Sequence, residues 1–81
     1  MVTETKEKTF GEKFVGISFN PSNRPDVDKA KQLCAELADL INDVNNSAKT
    51  SSHIKNGIFN HACNEILNAQ MNVVKFLTFE D

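Results

Sequence analysis

The chain has 81 residues, 40% hydrophobic, 25% charged and 7% aromatic, with a formal net charge of -2. A chain this short holds one domain and buries a small fraction of its surface alone, so support from a metal, disulfides or a partner chain is expected. Cys34 and Cys63 are too few for a disulfide framework, no apolar leader or long apolar run speaks for secretion or a membrane, and nine basic against eleven acidic side chains exclude a general duplex nucleic acid binder, leaving a soluble, reducing, intracellular setting.

Residues 1–13 alternate Lys6, Lys8 and Lys13 with Glu4, Glu7 and Glu12 and offer little to bury beyond Phe10, so a flexible tail is expected there. Val15, Ile17 and Phe19 then alternate as in a short extended segment, which without a sheet to join reads as an arm laid on a neighbouring helix. The run Asn20-Pro21-Ser22-Asn23-Arg24-Pro25 contains both prolines and predicts a rigid turn, so that arm and turn fill residues 14–25 of a single helical domain spanning 14–81.

From about residue 26 to 45, Val27, Ala30, Cys34, Leu37, Ile41 and Val44 recur at three-and-four spacing, with Leu33 and Leu40 widening the stripe. That predicts an amphipathic helix whose start is marked by Pro25, Asp26 and Asp28. Small polar residues from Asn45 to Ser52 break the pattern, and Ser51 or Ser52 can cap a second helix running from about 53 to 78. At 100° per residue its apolar side chains cover roughly two-thirds of the circumference, more than one neighbour can bury, so this helix is expected to touch another chain. The expected fold is all-α: an antiparallel helical hairpin with an N-terminal arm or short helix, assembled into a homo-oligomer.

Catalytic chemistry finds few candidates. His53 and His61 stand eight apart where a helical metal pair needs four, so no metal and no cofactor is expected. Cys34 and Cys63 lie in apolar faces and read as inert buried thiols. Glu36, Asp39 and Asp43 share the outer face of the first helix and read as a solvated acidic face, and Asn60, Asn64, Asn68 and Asn72 form a polar strip on the second. No glycine-rich loop or nucleophile elbow is present, so an enzyme is not expected.

Basic residues near the start of the first helix are more informative. Arg24 and Lys31, seven apart, project in nearly the same direction and could grip one anion, whereas Lys29 turns toward the acidic face. Phe19, beside the turn, can stack on a base or staple the arm to the helix. Lys75, at the end of the polar strip on the second helix, can hold phosphate and lies far from Lys31 along the chain, on a different helical face.

The stretches FNPSNRPDVDKAKQL (Phe19 to Leu33) and ACNEILNAQMNVVKFLTF (Ala62 to Phe79) resemble the type 2 anti-CBASS proteins of phages. In that family an aromatic residue ahead of the first long helix and a lysine within it bracket a cyclic dinucleotide, and the last helix ends in a Met-x-x-x-Arg/Lys pattern. The resemblance implies a homohexamer in the cytoplasm of the infected host that sequesters cyclic oligonucleotides uncleaved, so that defence effectors lack their activator. It gives Phe19 the aromatic position and Lys31 the phosphate ligand, with Asn20, Pro21 and Arg24 beside them. Lys75, with Thr78, takes the basic position of a second, cyclic trinucleotide pocket. Phe19 stands where tyrosine is frequent, and Lys75 lacks the bidentate grip of an arginine. The alternative to this sponge is a small helical adaptor that binds a protein through its exposed apolar face.

Overall fold

A computed structural model describes residues 7–47 and 52–80. It contains three helices, α1 (Phe10–Val15), α2 (Pro25–Ser47) and α3 (His53–Thr78), and no strand among the described residues. The two long helices fall within two residues of the expected boundaries and form the antiparallel hairpin.

The expectation of a tail through residue 13 and an extended segment after it is corrected by α1. Thr9 and Glu12 make a capping box: the Glu12 amide donates to the Thr9 hydroxyl at 3.1 Å and the Thr9 amide donates to Glu12 Oε1 at 2.9 Å. Gly16 ends the helix in the left-handed region (φ 65°), where its amide donates to the Lys13 carbonyl and that of Ile17 to the Glu12 carbonyl. Val15 is therefore helical, and the alternation of apolar residues from 15 to 19 records a helix end followed by a turn. Residues 1–6 of the expected tail lie outside the described residues.

Helix α1 lies on α2 at very close range. A Cβ on Gly11 would overlap the Ala35 carbonyl oxygen and stand 2.9 Å from Asp39 Cγ, so only glycine permits the contact. The Asp39 carboxylate accepts from the Gly11 amide at 2.6 Å and from the Thr9 hydroxyl at 2.7 Å, satisfying free donors at the start of α1. Asp39 thus leaves the solvated acidic face assigned to it; Glu36 and Asp43 remain exposed.

The turn before α2 is locked by side chains. Asn20 Nδ2 donates to the Arg24 carbonyl and to Asp28 Oδ1, both at 2.9 Å, and Ser22 Oγ donates to Asn20 Oδ1 at 2.6 Å. Asn23 takes the left-handed conformation (φ 56°), which asparagine tolerates better than most residues. Pro25 then enters at the first helical position. At the other long helix, Ser52 is the cap, accepting from the Lys55 amide at 3.1 Å, while Ser51 lies outside the described residues.

The buried seam of α2 runs through Val27, Lys31, Ala35 and Ala38, and that of α3 through Cys63, Ile66 and Gln70. Of the expected stripe Val27 is buried and Ala30, Cys34 and Ile41 are half-buried, whereas Leu37 and Val44, with the flanking Leu33 and Leu40, are exposed. The reason is steric. Alanines let α1 and α3 approach the α2 backbone, and leucines at the same positions would hold them off. The folded chain is thin, its Cα atoms spanning only 13 Å in the shortest direction, about one helix diameter. Among the described residues no large side chain is fully buried, and Ile54, Ile58, Met71, Val73 and Phe76 of α3 also face outward.

Gly11→Ala should destabilise the fold by about 1–3 kcal/mol, the usual cost of overpacking, lowering Tm by about 4–8 °C per kcal/mol. Thermal denaturation followed by circular dichroism checks this, and an unchanged Tm would mean that α1 does not pack at Ala35.

Candidate functional site

The antiparallel return of α3 places its C-terminal turns beside the N-terminal turns of α2 and the loop ahead of them. Two adjoining grooves result. The first, of about 280 Å³, is lined by Phe19, Asn20, Pro21, Ser22, Val27, Lys31, Val74 and Thr78. The second, of about 440 Å³, is lined by Lys31, Gln70, Met71, Val74, Lys75 and Thr78. Lys31, Val74 and Thr78 border both.

Six of the seven sequence-derived site residues, Phe19, Asn20, Pro21, Lys31, Lys75 and Thr78, therefore converge on one region. The separation of Lys75 from Lys31 expected along the chain is corrected: the hairpin folds one end of the sequence onto the other, and the two lysines line the same groove. Arg24 is the exception. Its guanidinium is exposed and engaged by Asp26, with Nε donating to Oδ1 at 3.0 Å and Nη2 to Oδ2 at 2.8 Å. This pairing holds the guanidinium proton more firmly and keeps the Asp26 carboxyl below its ordinary range, and Glu80 adds a second negative charge nearby. Arg24 lines neither groove, and its guanidinium is turned to Asp26 while the Lys31 ammonium is turned to the Gly16 and Phe19 carbonyls.

Lys31 is the central group. It is only 6% exposed, and none of the described carboxylates pairs with it. Its Nζ donates to the Gly16 carbonyl at 3.0 Å and to the Phe19 carbonyl, and stands 5.2 Å from the centre of the Phe19 ring. Those carbonyls belong to the chain leaving the C-terminus of α1, where the helix dipole favours a cation. Two of the three ammonium donors are thus used, and the charge itself is left without a counterion. Phe19 is 70% exposed, so the attachment made through its backbone leaves the residue largely open to solvent, with the Lys31 ammonium over its ring. Thr78 uses its hydroxyl proton on the Val74 carbonyl at 2.8 Å and keeps its oxygen lone pairs for other partners. Together these groups offer a flat apolar face beside a fixed positive charge, an arrangement that suits a phosphate joined to an aromatic base.

Gln70 is the residue that the sequence reading missed. It is 8% exposed and its Nε2 donates to the Val15 carbonyl at 3.0 Å, tying α3 to the end of α1. Its signal was the one long amide among the apolar residues of the closing helix. The other chemical candidates stay apart from this region. His53 and His61 are exposed on α3, and burial pushes the Cys34 and Cys63 thiols up, away from reactive thiolate. Among the described residues no group of three His, Cys, Asp or Glu side chains could hold a metal ion. The asparagine strip is exposed and bonded locally, Asn68 Nδ2 to Glu65 Oε1 at 3.1 Å and Asn72 Nδ2 to the Asn68 carbonyl at 3.0 Å.

Lys31→Met keeps the length of the side chain and removes the tether. Hydrogen exchange should then accelerate at the amides of residues 17–20, roughly ten-fold for each 1.4 kcal/mol lost, while the middles of α2 and α3 remain protected. Unchanged exchange there would remove Lys31 from the arm.

Comparison with protein-family models, curated proteins and solved structures returns no match to this chain.

Proposed function

We propose that this chain binds cyclic oligonucleotide second messengers and holds them uncleaved, acting as a phage anti-defence protein in the cytoplasm of an infected bacterium and denying CBASS effectors their activator. The observation that carries the reading is Lys31, a buried ammonium without a carboxylate partner, set over the ring of the largely exposed Phe19. A cyclic dinucleotide supplies what this pair lacks, a phosphodiester for the charge and a base for the ring. Stacking on an aromatic side chain contributes about 1–3 kcal/mol per base, and a charge-assisted phosphate contact adds to it. Holding a messenger stoichiometrically requires no catalytic group. The resemblance of Phe19 to Leu33 and of Ala62 to Phe79 to type 2 anti-CBASS proteins supports the same reading and extends it to a homohexamer.

Self-association has its own support in the thin protomer and the outward leucines of α2. A ligand with two phosphates and two bases is larger than either groove of one chain, so a second copy closing over it would complete the enclosure. Lys75, which shares a groove with Lys31, is assigned to cyclic trinucleotides and also lies within reach of a dinucleotide phosphate.

A second reading, the helical adaptor, is favoured by one observation: an apolar groove of about 350 Å³ between the end of α2 and the start of α3, lined among others by Leu40, Ile41, Val44, Ile58 and Phe59. A partner helix could lay an apolar face there.

Calorimetry with cyclic GMP-AMP separates the two. Phe19→Ala and Lys31→Ala should each weaken binding ten-fold or more, about 1.4 kcal/mol, and Lys29→Ala, whose side chain is exposed on α2, should change it little. Binding by none of cyclic GMP-AMP, other cyclic dinucleotides and cyclic trinucleotides would transfer the function to the adaptor reading. Sedimentation at micromolar concentration should show a species larger than the monomer; a folded monomer would defeat the oligomer.

A further inference from the structure

Among the described residues only two polar side chains are buried, Lys31 and Gln70, and both line the same groove. Gln70 is the stranger of the two. Its Nε2 is committed to the Val15 carbonyl, which can only accept, so the amide is fixed with its NH2 group on that side and its Oε1 on the other. That Oε1 is shielded from solvent and has no hydrogen-bond partner. Native proteins leave few such atoms, because a buried acceptor without a donor loses its water and gains nothing in exchange. Lys31 does not relieve it, since its ammonium is drawn to the Gly16 and Phe19 carbonyls.

Resting on the cyclic oligonucleotide reading above, we propose that Gln70 is a specificity-determining residue of this groove, its Oε1 accepting a hydrogen bond from an N–H or O–H group of a nucleotide whose phosphate lies between Lys31 and Lys75. The lining contains two cations for an anion, one orphaned acceptor for a donor, and Val74 and Met71 as apolar wall. Met71 and Lys75, which line the groove beside Gln70, are exposed and unbranched, so their side chains can rearrange around a ligand. A bare phosphate or sulfate satisfies the lysines and leaves Oε1 unpaired. A nucleotide brings its phosphate together with a base amine or sugar hydroxyl and satisfies both. Selection is then strong, because a ligand without the donor keeps the orphaned acceptor buried.

The test is calorimetry with cyclic tri-AMP and cyclic GMP-AMP on the full chain and on Gln70→Met, a change of similar length that removes the acceptor. The variant should bind whichever of the two the parent binds at least ten-fold more weakly, while its Tm stays close to the parent's, because the lost bond to Val15 is offset by removal of the unpaired oxygen. Parent-like affinity in the folded variant, with or without a lower Tm, would reduce Gln70 to a strut for α1 and overturn the proposal while leaving the sponge reading intact. Failure of the parent to bind any cyclic di- or trinucleotide, these two included, would sink both. Should Gln70→Met fail to fold, the parent answers by carbon-13 detection of the side-chain carbonyls of its two glutamines, Gln32 and Gln70. Ligand should move the Gln70 signal and leave that of Gln32, which is bonded to Glu36 on the outer face of α2, in place. A stationary Gln70 signal in a saturated complex would overturn the proposal.

Discussion

A single ammonium organises the end of the hairpin where α1, the loop and the C-terminal turns of α3 meet. Lys31 reaches from the inner face of α2 to carbonyls of the chain leaving α1, and the loop to α2 is hung from that attachment. Gln70 reaches the Val15 carbonyl from α3, so donors from both long helices converge on one short stretch of backbone. The stretch has carbonyls to offer because Gly16 stops α1 after six residues, short of two turns, where the last acceptors of a helix have no partner within it. Local chain chemistry, a glycine in the left-handed region, thereby creates the negative pole to which a buried cation is fastened. Without that pole the lysine would leave the interior, since an isolated charge is costly to remove from water.

The same fastening gives the site its electrostatic character. Arg24 carries an equal formal charge, but Asp26 and Glu80 neutralise it, whereas the carbonyls around Lys31 contribute only partial charges. A strongly hydrated surface cation must shed its water before it can hold an anion. Lys31 has already exchanged most of its water for fixed dipoles, so less reorganisation accompanies a contact with phosphate.

Much of the fold was legible in the sequence, and the failures have physical causes. The three-and-four spacing and the Pro25 and Ser52 signals located α2 and α3, because long amphipathic periodicity survives any tertiary arrangement. A short N-terminal helix was allowed for as an alternative to an arm, but its place escaped because charge alternation around Phe10 masked a capping box, Thr9-x-x-Glu12, that was present to be read. Burial on α2 followed alanine and not leucine, since backbone approach, a tertiary demand, overrode the hydrophobic ranking of side chains. At the candidate site, the aromatic and the lysine were visible as residue types. The convergence of Lys75 with Lys31 was not, because it depends on how the hairpin closes. Arg24 stands outside the two grooves for a local reason: Asp26, two residues away, engages its guanidinium.

The thinness of the protomer has a thermodynamic consequence. The heat-capacity increment of unfolding arises chiefly from apolar surface newly exposed to water, about 12–15 cal/mol/K per residue in ordinary globular domains. A layer one helix thick, with much of its aliphatic surface already wet, exposes less on unfolding and falls below that range. The stability of an isolated protomer therefore varies gently with temperature, without the pronounced dome of a thicker domain. If copies associate as proposed, the surface withdrawn from water between them adds its own share, so curvature in the melting behaviour would report that association.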